Sequence, residues 1–247
     1  MRVLVLQHIS CEPPAVYEQV LRERGVDIVR VELDEGQAMP DWRDFNAIIA
    51  MGGPMSANDD RELPWLRDEK RLISEAVRAG VPFWGVCLGC QLLAASLGAR
   101  VYRGPRPEVG MLHVRLTPQG EGDPTFGNAP REFLTLQWHN DTFEVPAGGV
   151  LLASSSVYEA QAFRWGRSAY GLQFHLEVSA ELAKEWGSVP AYANDLSAVL
   201  GSNALPNLIS EIERSAPVVN SLGKKLFEVW LAKSFRIPEP EASVSRP

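Results

Sequence analysis

Residues 81–93 read VPFWGVCLGCQLL, an apolar strand pattern that runs through Gly-x-Cys-x-Gly directly into a helical pattern. This is the order of a nucleophile elbow with cysteine in place of serine, in which a sharp strand-to-helix turn lifts the side chain off the backbone at the end of a sheet. Gly85 and Gly89 allow the tight turn, and the helix N-terminus behind Cys87 favours its reactive thiolate. The stretch therefore predicts a cysteine nucleophile in an α/β fold.

The surrounding sequence continues the alternation of strands and helices. Apolar runs at 2–6 and 45–51 are typical of buried parallel strands, and a β-rich run covers 26–33. The pattern predicts an α/β fold with a mostly parallel open sheet and helices on both faces. Further expected elements are shorter strands at 99–118, 131–137, 150–164 and 168–178, and helices at 14–24, 64–79, 88–97, 192–200 and 206–234.

Composition and charge exclude several classes of protein. With 247 residues, 45% of them hydrophobic, the chain can form one α/β domain with a full core. A net charge of −7 without a Lys/Arg cluster argues against nucleic-acid binding. Three cysteines do not make a disulfide framework, the apolar run at 2–6 is too short for the apolar region of a signal peptide, and no apolar run reaches about 18 residues. These features predict a cytoplasmic protein without membrane spans.

A histidine and a carboxylate lie at the end of the last predicted strand. In the sequence QFHLE at 173–177, His175 and Glu177 occupy positions i and i+2, which share a face of a strand. A carboxylate beside an imidazole selects its tautomer and stabilises the imidazolium. His175 could then accept the proton of Cys87 and return it to a leaving amine. Taken alone, the pattern is equally that of a polar strand end facing solvent.

Two further segments are candidates for binding substrate. Gly52-Gly53-Pro54 follows an apolar strand, where exposed backbone N–H groups, with that of Leu88, would form an oxyanion hole; a simple turn is the alternative. The polar cluster WHND at 138–141 follows another strand and could bind a polar substrate group or form an ordinary capped turn.

Other chemistry-bearing residues have simpler interpretations. Cys90 forms Cys-x-x-Cys with Cys87, but no second Cys or His pair accompanies it, so we expect a small core residue and no metal site. His8 follows the first strand at the same end of the sheet as Cys87 and could line the site, although a solvated loop histidine is the expected state.

Three motifs together resemble class I glutamine amidotransferases, and among these most closely the stand-alone, GMP-synthase-like members. They are GVCLGCQ at 85–91, GGP at 52–54 and FHLE at 174–177, in the order and spacing of that family over roughly residues 1–185. The resemblance implies a flavodoxin-like core and a Cys-His-Glu triad, with no cofactor. It also implies hydrolysis of the glutamine side-chain amide to glutamate and ammonia.

The resemblance also assigns roles to individual residues. Cys87 corresponds to the nucleophile, His175 to the base and then acid, and Glu177 to the orienting carboxylate. The remaining positions correspond to residues that contact the substrate. They are Gly53 and Leu88 at the oxyanion, Gln91 and Met55 at the glutamine side chain, and Trp138, His139, Asn140 and Asp141 in the loop that holds its α-amino and α-carboxylate groups. The sequence at 138–141 does not keep a close family motif.

Two departures bear on function. Many family members have proline between the histidine and the glutamate, where this chain has Leu176; the role of that residue is geometric, so activity is expected to be retained. We expect an amidotransferase domain over 1–190, helices over 191–236 packed on it, and a loose tail over 237–247. The residues after 190 are too few for a synthase domain, so we expect either that a partner on a separate chain accepts the ammonia or that there is no such partner.

Two alternatives to a glutaminase remain open. The same triad could cleave γ-glutamyl peptides or conjugates, because these share the γ-glutamyl half of glutamine. Alternatively, the chain could be a non-catalytic partner subunit on the same scaffold, although the intact Cys87, His175 and Glu177 argue against that. The sequence does not specify the oligomeric state.

Overall fold

A computed structural model describes residues 1–235, in which nine strands form one sheet in the order β2-β1-β3-β4-β9-β8-β7-β5-β6. The strands are β1 (Arg2–Gln7), β2 (Asp27–Glu32), β3 (Ala47–Ala50), β4 (Phe83–Val86), β5 (Val101–Leu116), β6 (Glu132–Phe143), β7 (Gly149–Ser154), β8 (Ala162–Trp165) and β9 (Ala169–Leu172).

The first half of the sheet is parallel and decides where chemistry can occur. Its order β2-β1-β3-β4-β9 is the flavodoxin-like order, with β9 as the fifth strand. β3 and β4 are buried at every residue, as expected for strands covered on both faces. The predicted α/β fold is confirmed, and the carboxyl ends of β1, β3, β4 and β9 meet at one edge.

The second half, from β9 to β6, is antiparallel and differs from the prediction at two places. β6 continues through residues 138–141, so the loop expected there is wrong; pairing with β5, including Arg103 with Asp141, keeps this stretch extended. The last strand ends at Leu172 rather than near 178. Beyond it, His175 pairs only with Leu136 of β6, in an isolated antiparallel bridge.

Helices cover both faces of the sheet because successive strand residues point to opposite sides. Val3 and Val5 of β1 belong to one apolar cluster, and Leu4 and Leu6 to the other. The helices are α1 (Val16–Glu23), α2 (Trp65–Arg78), α3 (Leu88–Ser96), α4 (Pro118–Glu121), α5 (Ala180–Trp186), α6 (Pro190–Leu200) and α7 (Leu205–Phe235). The cluster that contains Val3 includes residues of α1, α5, α6 and α7, and the cluster that contains Leu4 includes residues of α2 and α3.

The C-terminal helix α7 packs along α1 and against the sheet. Lys224 Nζ lies 2.8 Å from Glu23 Oε2, and the ring centroids of Phe227 and Tyr17 are 4.8 Å apart. Pro217 lies inside this helix, where it removes one backbone donor. The tail expected over 237–247 lies outside the described residues. Within residues 1–235, the helices are too short or too polar to cross a membrane.

Candidate active site

Cys87 lies at the turn between β4 and α3, in a backbone conformation that is rare for a residue with a side chain. Its φ is 51° and its ψ −105°, and its N–H donates to the carbonyl of Leu172 at 2.7 Å. The side chain is only 6% exposed. A strained, left-handed residue at a strand-to-helix turn is the geometry of a nucleophile elbow.

The flanking glycines serve close packing rather than the turn itself. Neither Gly85 nor Gly89 has a positive φ. A β-carbon on Gly89 would collide with the carbonyl oxygen of Ala50, and one on Gly85 would lie 2.5 Å from the carbonyl oxygen of Gly89. Glycine thus lets the elbow helix approach the ends of β3 and β4 more closely than any other residue type would. At the turn itself, Cys87 takes the strained conformation and the two glycines do not.

His175 and Glu177 lie beside this elbow on the segment that follows β9. His175 Nδ1 is 2.7 Å from Glu177 Oε1, and both side chains are at most 3% exposed. Phe174 and Leu176, the alternate residues, are fully buried in the core. The N–H of Leu176 donates to Glu177 Oε2 at 2.9 Å, a hydrogen bond that proline at this position could not make.

At Cys87 and His175, burial and the neighbouring charges shift the pKa in opposite directions. Burial raises the pKa of the Cys87 thiol, although its interaction with His175 acts in the opposite direction. Burial lowers the pKa of His175, but the charge of Glu177 and the hydrogen bonds to Cys87 and Glu177 outweigh it and raise that pKa well above its usual value. Burial is thus the largest cause of the raised pKa of Cys87, and it acts against the thiolate that the helix N-terminus is expected to favour.

A pair of buried glutamines connects the elbow helix to the sulfur. Gln91 Nε2 donates to the carbonyl of Asp141 at 3.2 Å and to Gln173 Oε1 at 3.0 Å. A backbone carbonyl only accepts, so this contact identifies the amino side of Gln91 and hence the oxygen side of Gln173. The amino group of Gln173 then faces Cys87, with Nε2 3.7 Å from Sγ. The sequence patterns did not predict that Gln173 belongs to the site.

Gly53 lies against the elbow and against the loop that follows it. A β-carbon on Gly53 would lie 2.5 Å from Met55 Sδ, 2.9 Å from His8 Cβ and 3.1 Å from Leu88 Cδ2. Within residues 1–235, neither the N–H of Gly53 nor that of Leu88 donates a hydrogen bond to the protein. The structure thus brings Gly53, Leu88 and Met55 together.

Residues 138–141 divide between the two sides of β6. Asp141 points toward the elbow: its Oδ2 accepts from the Ser56 hydroxyl at 2.8 Å, and its carbonyl accepts from Gln91. His139, on the same side, lies 2.9 Å from the carbonyl of Asp141 through Nδ1 and 3.3 Å from Glu108 Oε2 through Nε2.

Trp138 and Asn140 point to the opposite side, toward the C-terminal helices. The Trp138 ring contacts Trp186 and Tyr192 at centroid distances of 5.6 and 5.8 Å, and Asn140 hydrogen-bonds Asp195 of α6. Residues 138–141 therefore do not form a single cluster, because the side chains of a strand alternate between its two sides. Their roles in binding substrate stay predictions.

Two buried acidic groups near the site were missed from the sequence. Glu12 is 2% exposed; its Oε1 accepts from the Tyr192 hydroxyl, and its Oε2 lies against Gly52 without a hydrogen-bond partner among residues 1–235. Burial raises its pKa, an effect that nearby His175 opposes. Glu69 of α2 pairs with His8, which is fully buried and not a solvated loop histidine. Like His8, Glu12 follows the carboxyl end of β1, and that position is the signal that could have identified it.

The remaining cysteine contacts belong to the core. Cys87, Cys90 and Cys11 are buried and carry no disulfide. Cys90 Sγ packs against Gly171 of β9, where an added β-carbon would lie 2.8 Å away. Within residues 1–235, no three His, Cys, Asp or Glu side chains are grouped so that they could hold a metal ion.

Comparison with known protein sequences identifies relatives. The family model of glutamine amidotransferase class-I matches residues 15–186. The glutamine amidotransferase-like protein YfeJ of Salmonella typhimurium is 33% identical over 185 residues, covering 73% of this chain and 77% of that protein. A glutamine-hydrolysing GMP synthase subunit of Thermoplasma acidophilum is 33% identical over 162 residues, covering 65% and 76%.

Solved structures agree with the sequence comparisons. A glutamine amidotransferase from Thermotoga maritima superimposes with a TM-score of 0.83 at 31% identity, covering 94% of this chain and 98% of that one. Another from Methylobacillus flagellatus gives 0.84 at 27% identity, covering 98% of each chain. The protein therefore belongs to the class I glutamine amidotransferase family.

Proposed function

We propose that this protein hydrolyses the side-chain amide of glutamine through a triad of Cys87, His175 and Glu177. The observation that supports this most strongly is the buried His175–Glu177 pair, with 2.7 Å between Nδ1 and Oε1, beside a strained elbow cysteine. A nucleophile, a base and a residue that orients the base are the three parts that covalent amide hydrolysis requires.

The mechanism begins with proton transfer from Cys87, whose thiol pKa burial raises, to the imidazole of His175. Neutral His175 takes the proton as Cys87 Sγ attacks the amide carbon, and Glu177, 2.7 Å from Nδ1, stabilises the imidazolium that forms. The carbonyl oxygen becomes an oxyanion that accepts hydrogen bonds from the N–H groups of Gly53 and Leu88. His175 then protonates the nitrogen, and the C–N bond breaks to release ammonia and leave a γ-glutamyl thioester.

Water completes the reaction at the same histidine. With ammonia gone, neutral His175 takes a proton from water as the oxygen attacks the thioester carbon. The C–S bond breaks, glutamate leaves, and the sulfur regains its proton from His175. Glu177 stabilises the imidazolium in both halves of the cycle. The reaction consumes one water and yields glutamate and ammonia, without a cofactor.

We assign substrate binding to the side of the elbow where Gln91 and Asp141 meet. Gln91 lies one helical turn beyond Cys87 and contacts the carbonyl of Asp141. The Asp141 carboxylate, bonded to Ser56, offers negative charge for an α-amino group. Met55 lies next to Gly53 and supplies an apolar wall for the side-chain methylenes. Trp138 and Asn140, which face α6, contribute to the structure rather than to binding.

We further propose that a separate synthase chain receives the ammonia. Support comes from the relatives named as subunits of glutamine-hydrolysing GMP synthases, since that designation implies another chain in their case. The sequence alternatives, a γ-glutamyl conjugate hydrolase and a non-catalytic partner, become outcomes of the following test.

The test measures ammonia and glutamate released from glutamine and from γ-glutamyl dipeptides. We expect turnover of glutamine that falls by about 10⁴-fold or more in Cys87→Ala and His175→Ala. Cys90→Ala, which removes the neighbouring buried thiol, should retain most of the activity. If the enzyme clearly prefers the dipeptides, its substrate is a γ-glutamyl peptide and not glutamine. Equal turnover by Cys87→Ala and wild type would reject the triad.

A further inference from the structure

A second histidine–carboxylate pair lies under the loop that carries Gly53. His8 and Glu69 are both fully buried, and His8 Nε2 lies 2.9 and 3.1 Å from the two carboxylate oxygens. The ring of Trp65 stacks on the imidazole with 5.8 Å between centroids. A buried ion pair gives little net stability, because desolvation of both groups opposes their attraction. The pair takes no part in the triad.

The other nitrogen of His8 contacts the backbone between the two glycines. Nδ1 lies 3.1 Å from the carbonyl oxygen of Gly52. Since a carbonyl oxygen only accepts, Nδ1 carries a proton and donates it. Glu69, which contacts Nε2 with both oxygens, prevents the ring from rotating away. The orientation of the imidazole is therefore determined from both sides.

The hydrogen bond from His8 to the Gly52 carbonyl also determines the direction of the Gly53 N–H. In a planar trans peptide, the C=O of Gly52 and the N–H of Gly53 point in opposite directions. When His8 binds the carbonyl, the Gly53 N–H points away from His8 and stays without an acceptor within residues 1–235. Glycine on both sides would otherwise let this peptide rotate easily.

We propose that His8 and Glu69 are positioning residues that hold the Gly52–Gly53 peptide so that the Gly53 N–H serves as an oxyanion donor. This inference rests on the proposed function, in which Gly53 and Leu88 stabilise the oxyanion. An oxyanion exists in the transition state and not in bound substrate, so loss of the donor lowers kcat and leaves KM nearly unchanged.

Two small reagents separate this role from activation of Cys87. Acylation of the thiol by p-nitrophenyl acetate passes through an oxyanion, whereas alkylation by iodoacetamide does not. Both rates are measured as the part that Cys87→Ala abolishes, in wild type, His8→Leu, His8→Asn and Glu69→Gln. Asparagine at position 8 retains a donor near the place of Nδ1, and Val77→Ala weakens α2 without touching His8. Urea unfolding of each variant verifies its folding.

We expect His8→Leu to slow acylation by about 10²-fold while alkylation changes less than about twofold. His8→Asn should recover part of the acylation rate, Glu69→Gln should lose part of it, and Val77→Ala should match wild type. Glutamine hydrolysis by His8→Leu should show the fall in kcat.

Three results would overturn the inference: equal acylation by wild type and His8→Leu, a parallel fall of acylation and alkylation, or no recovery in His8→Asn. Failure of the proposed function gives a different pattern. In that case wild type releases no ammonia from glutamine, while the ratio of acylation to alkylation still falls in His8→Leu.

Discussion

Two residues of this chain adopt nearly the same strained backbone conformation. Cys87 has φ 51° and ψ −105°, and Ala15 has φ 47° and ψ −115°; each immediately precedes a helix. Such conformations cost about 1–3 kcal/mol for a residue with a β-carbon. At Cys87 the strained conformation directs a nucleophilic thiol toward the site, whereas the side chain of Ala15 is an unreactive methyl group.

Ala15→Gly should therefore stabilise the protein. The strain energy relieved in the folded state is larger than the free-energy cost of the entropy that glycine adds to the unfolded chain. We therefore expect a net gain of about 1 kcal/mol in the free energy of unfolding. Urea denaturation measures it. Ala79→Gly is the matched control, because Ala79 has an ordinary φ of −77° and should lose stability. A loss in Ala15→Gly as large as in Ala79→Gly would contradict the strain argument.

The second residue-scale prediction concerns Gln173, whose amino group faces the sulfur. Gln173→Leu removes a donor that stabilises the thiolate more than the thiol, so the pKa of Cys87 should rise further. The rate of alkylation by iodoacetamide at neutral pH should fall about tenfold, which corresponds to about 1.4 kcal/mol, and its pH profile should move to higher pH.

Gln137→Leu provides the control for this change. Gln137 is also fully buried and also pairs with a glutamine, Gln161 at 3.1 Å, but it does not contact Cys87. Gln137→Leu should leave the rate of alkylation and its pH profile unchanged. If both variants shift the profile equally, the effect is one of packing and the hydrogen bond to sulfur has no role.

At the scale of elements, α7 supplies aromatic residues that complete one face of the sheet. Trp230 is 1% exposed, its ring centroid lies 5.4 Å from that of Trp84, and its Nε1–H donates to the carbonyl of Ser168 at 2.9 Å. Phe227 contacts Tyr17 and Trp84 from the same helix. This face of β4 is thus covered by a helix from beyond residue 186, where the family match ends.

Trp230→Ala should lower the free energy of unfolding by about 3–5 kcal/mol, because it leaves a large cavity and removes the hydrogen bond from the indole to the Ser168 carbonyl. Val218→Ala on the same helix is the control: Val218 is 75% exposed, so its change should be within about 0.5 kcal/mol. Urea unfolding of both variants gives the comparison. A small effect of Trp230→Ala would mean that α7 is not part of the cooperative unit.

At the scale of the whole molecule, burial raises the pKa of many thiols and phenols. It is the largest cause of the raised pKa of each of Cys11, Tyr17, Cys87, Cys90, Tyr158, Tyr170 and Tyr192. These groups are neutral when protonated, and the folded protein retains their protons at pH values where the unfolded chain has lost them. Stability is therefore full below the ordinary pKa values and decreases as pH rises above them.

We expect the free energy of unfolding to fall between pH 9 and 11, the interval over which burial raises the pKa of Cys11 from 9.0 to about 11. Urea unfolding at a series of pH values measures this decrease. Cys11→Ala should make it shallower, because one titrating group is removed. Val20→Ala, an equally buried change without a titrating group, should keep the wild-type slope. A stability that is constant from pH 8 to 11 would contradict the argument.

Much of the fold was predictable because its signals are local. Apolar runs mark β1, β3 and β4, and the Gly-x-Cys-x-Gly turn marks the elbow, each within a few consecutive residues. The length of β6 was not predictable in this way. Residues 138–141 are polar, and only pairing with β5 makes them a strand. The alternation of side chains then directs Asp141 toward Gln91 and Trp138 toward α6.

The sequence by itself determined the α/β class, the nucleophile candidate Cys87 and the neighbouring pair His175 and Glu177, since these depend on spacing along the chain. Only the tertiary structure brought His8 to Glu69, 61 residues away, and Gln91 to Gln173, 82 residues away. Such contacts leave no periodicity in the sequence, because they join residues of separate helices and strand ends that only the folded chain brings together. The surroundings that orient Cys87 and the Gly52–Gly53 peptide are therefore a property of the folded sheet.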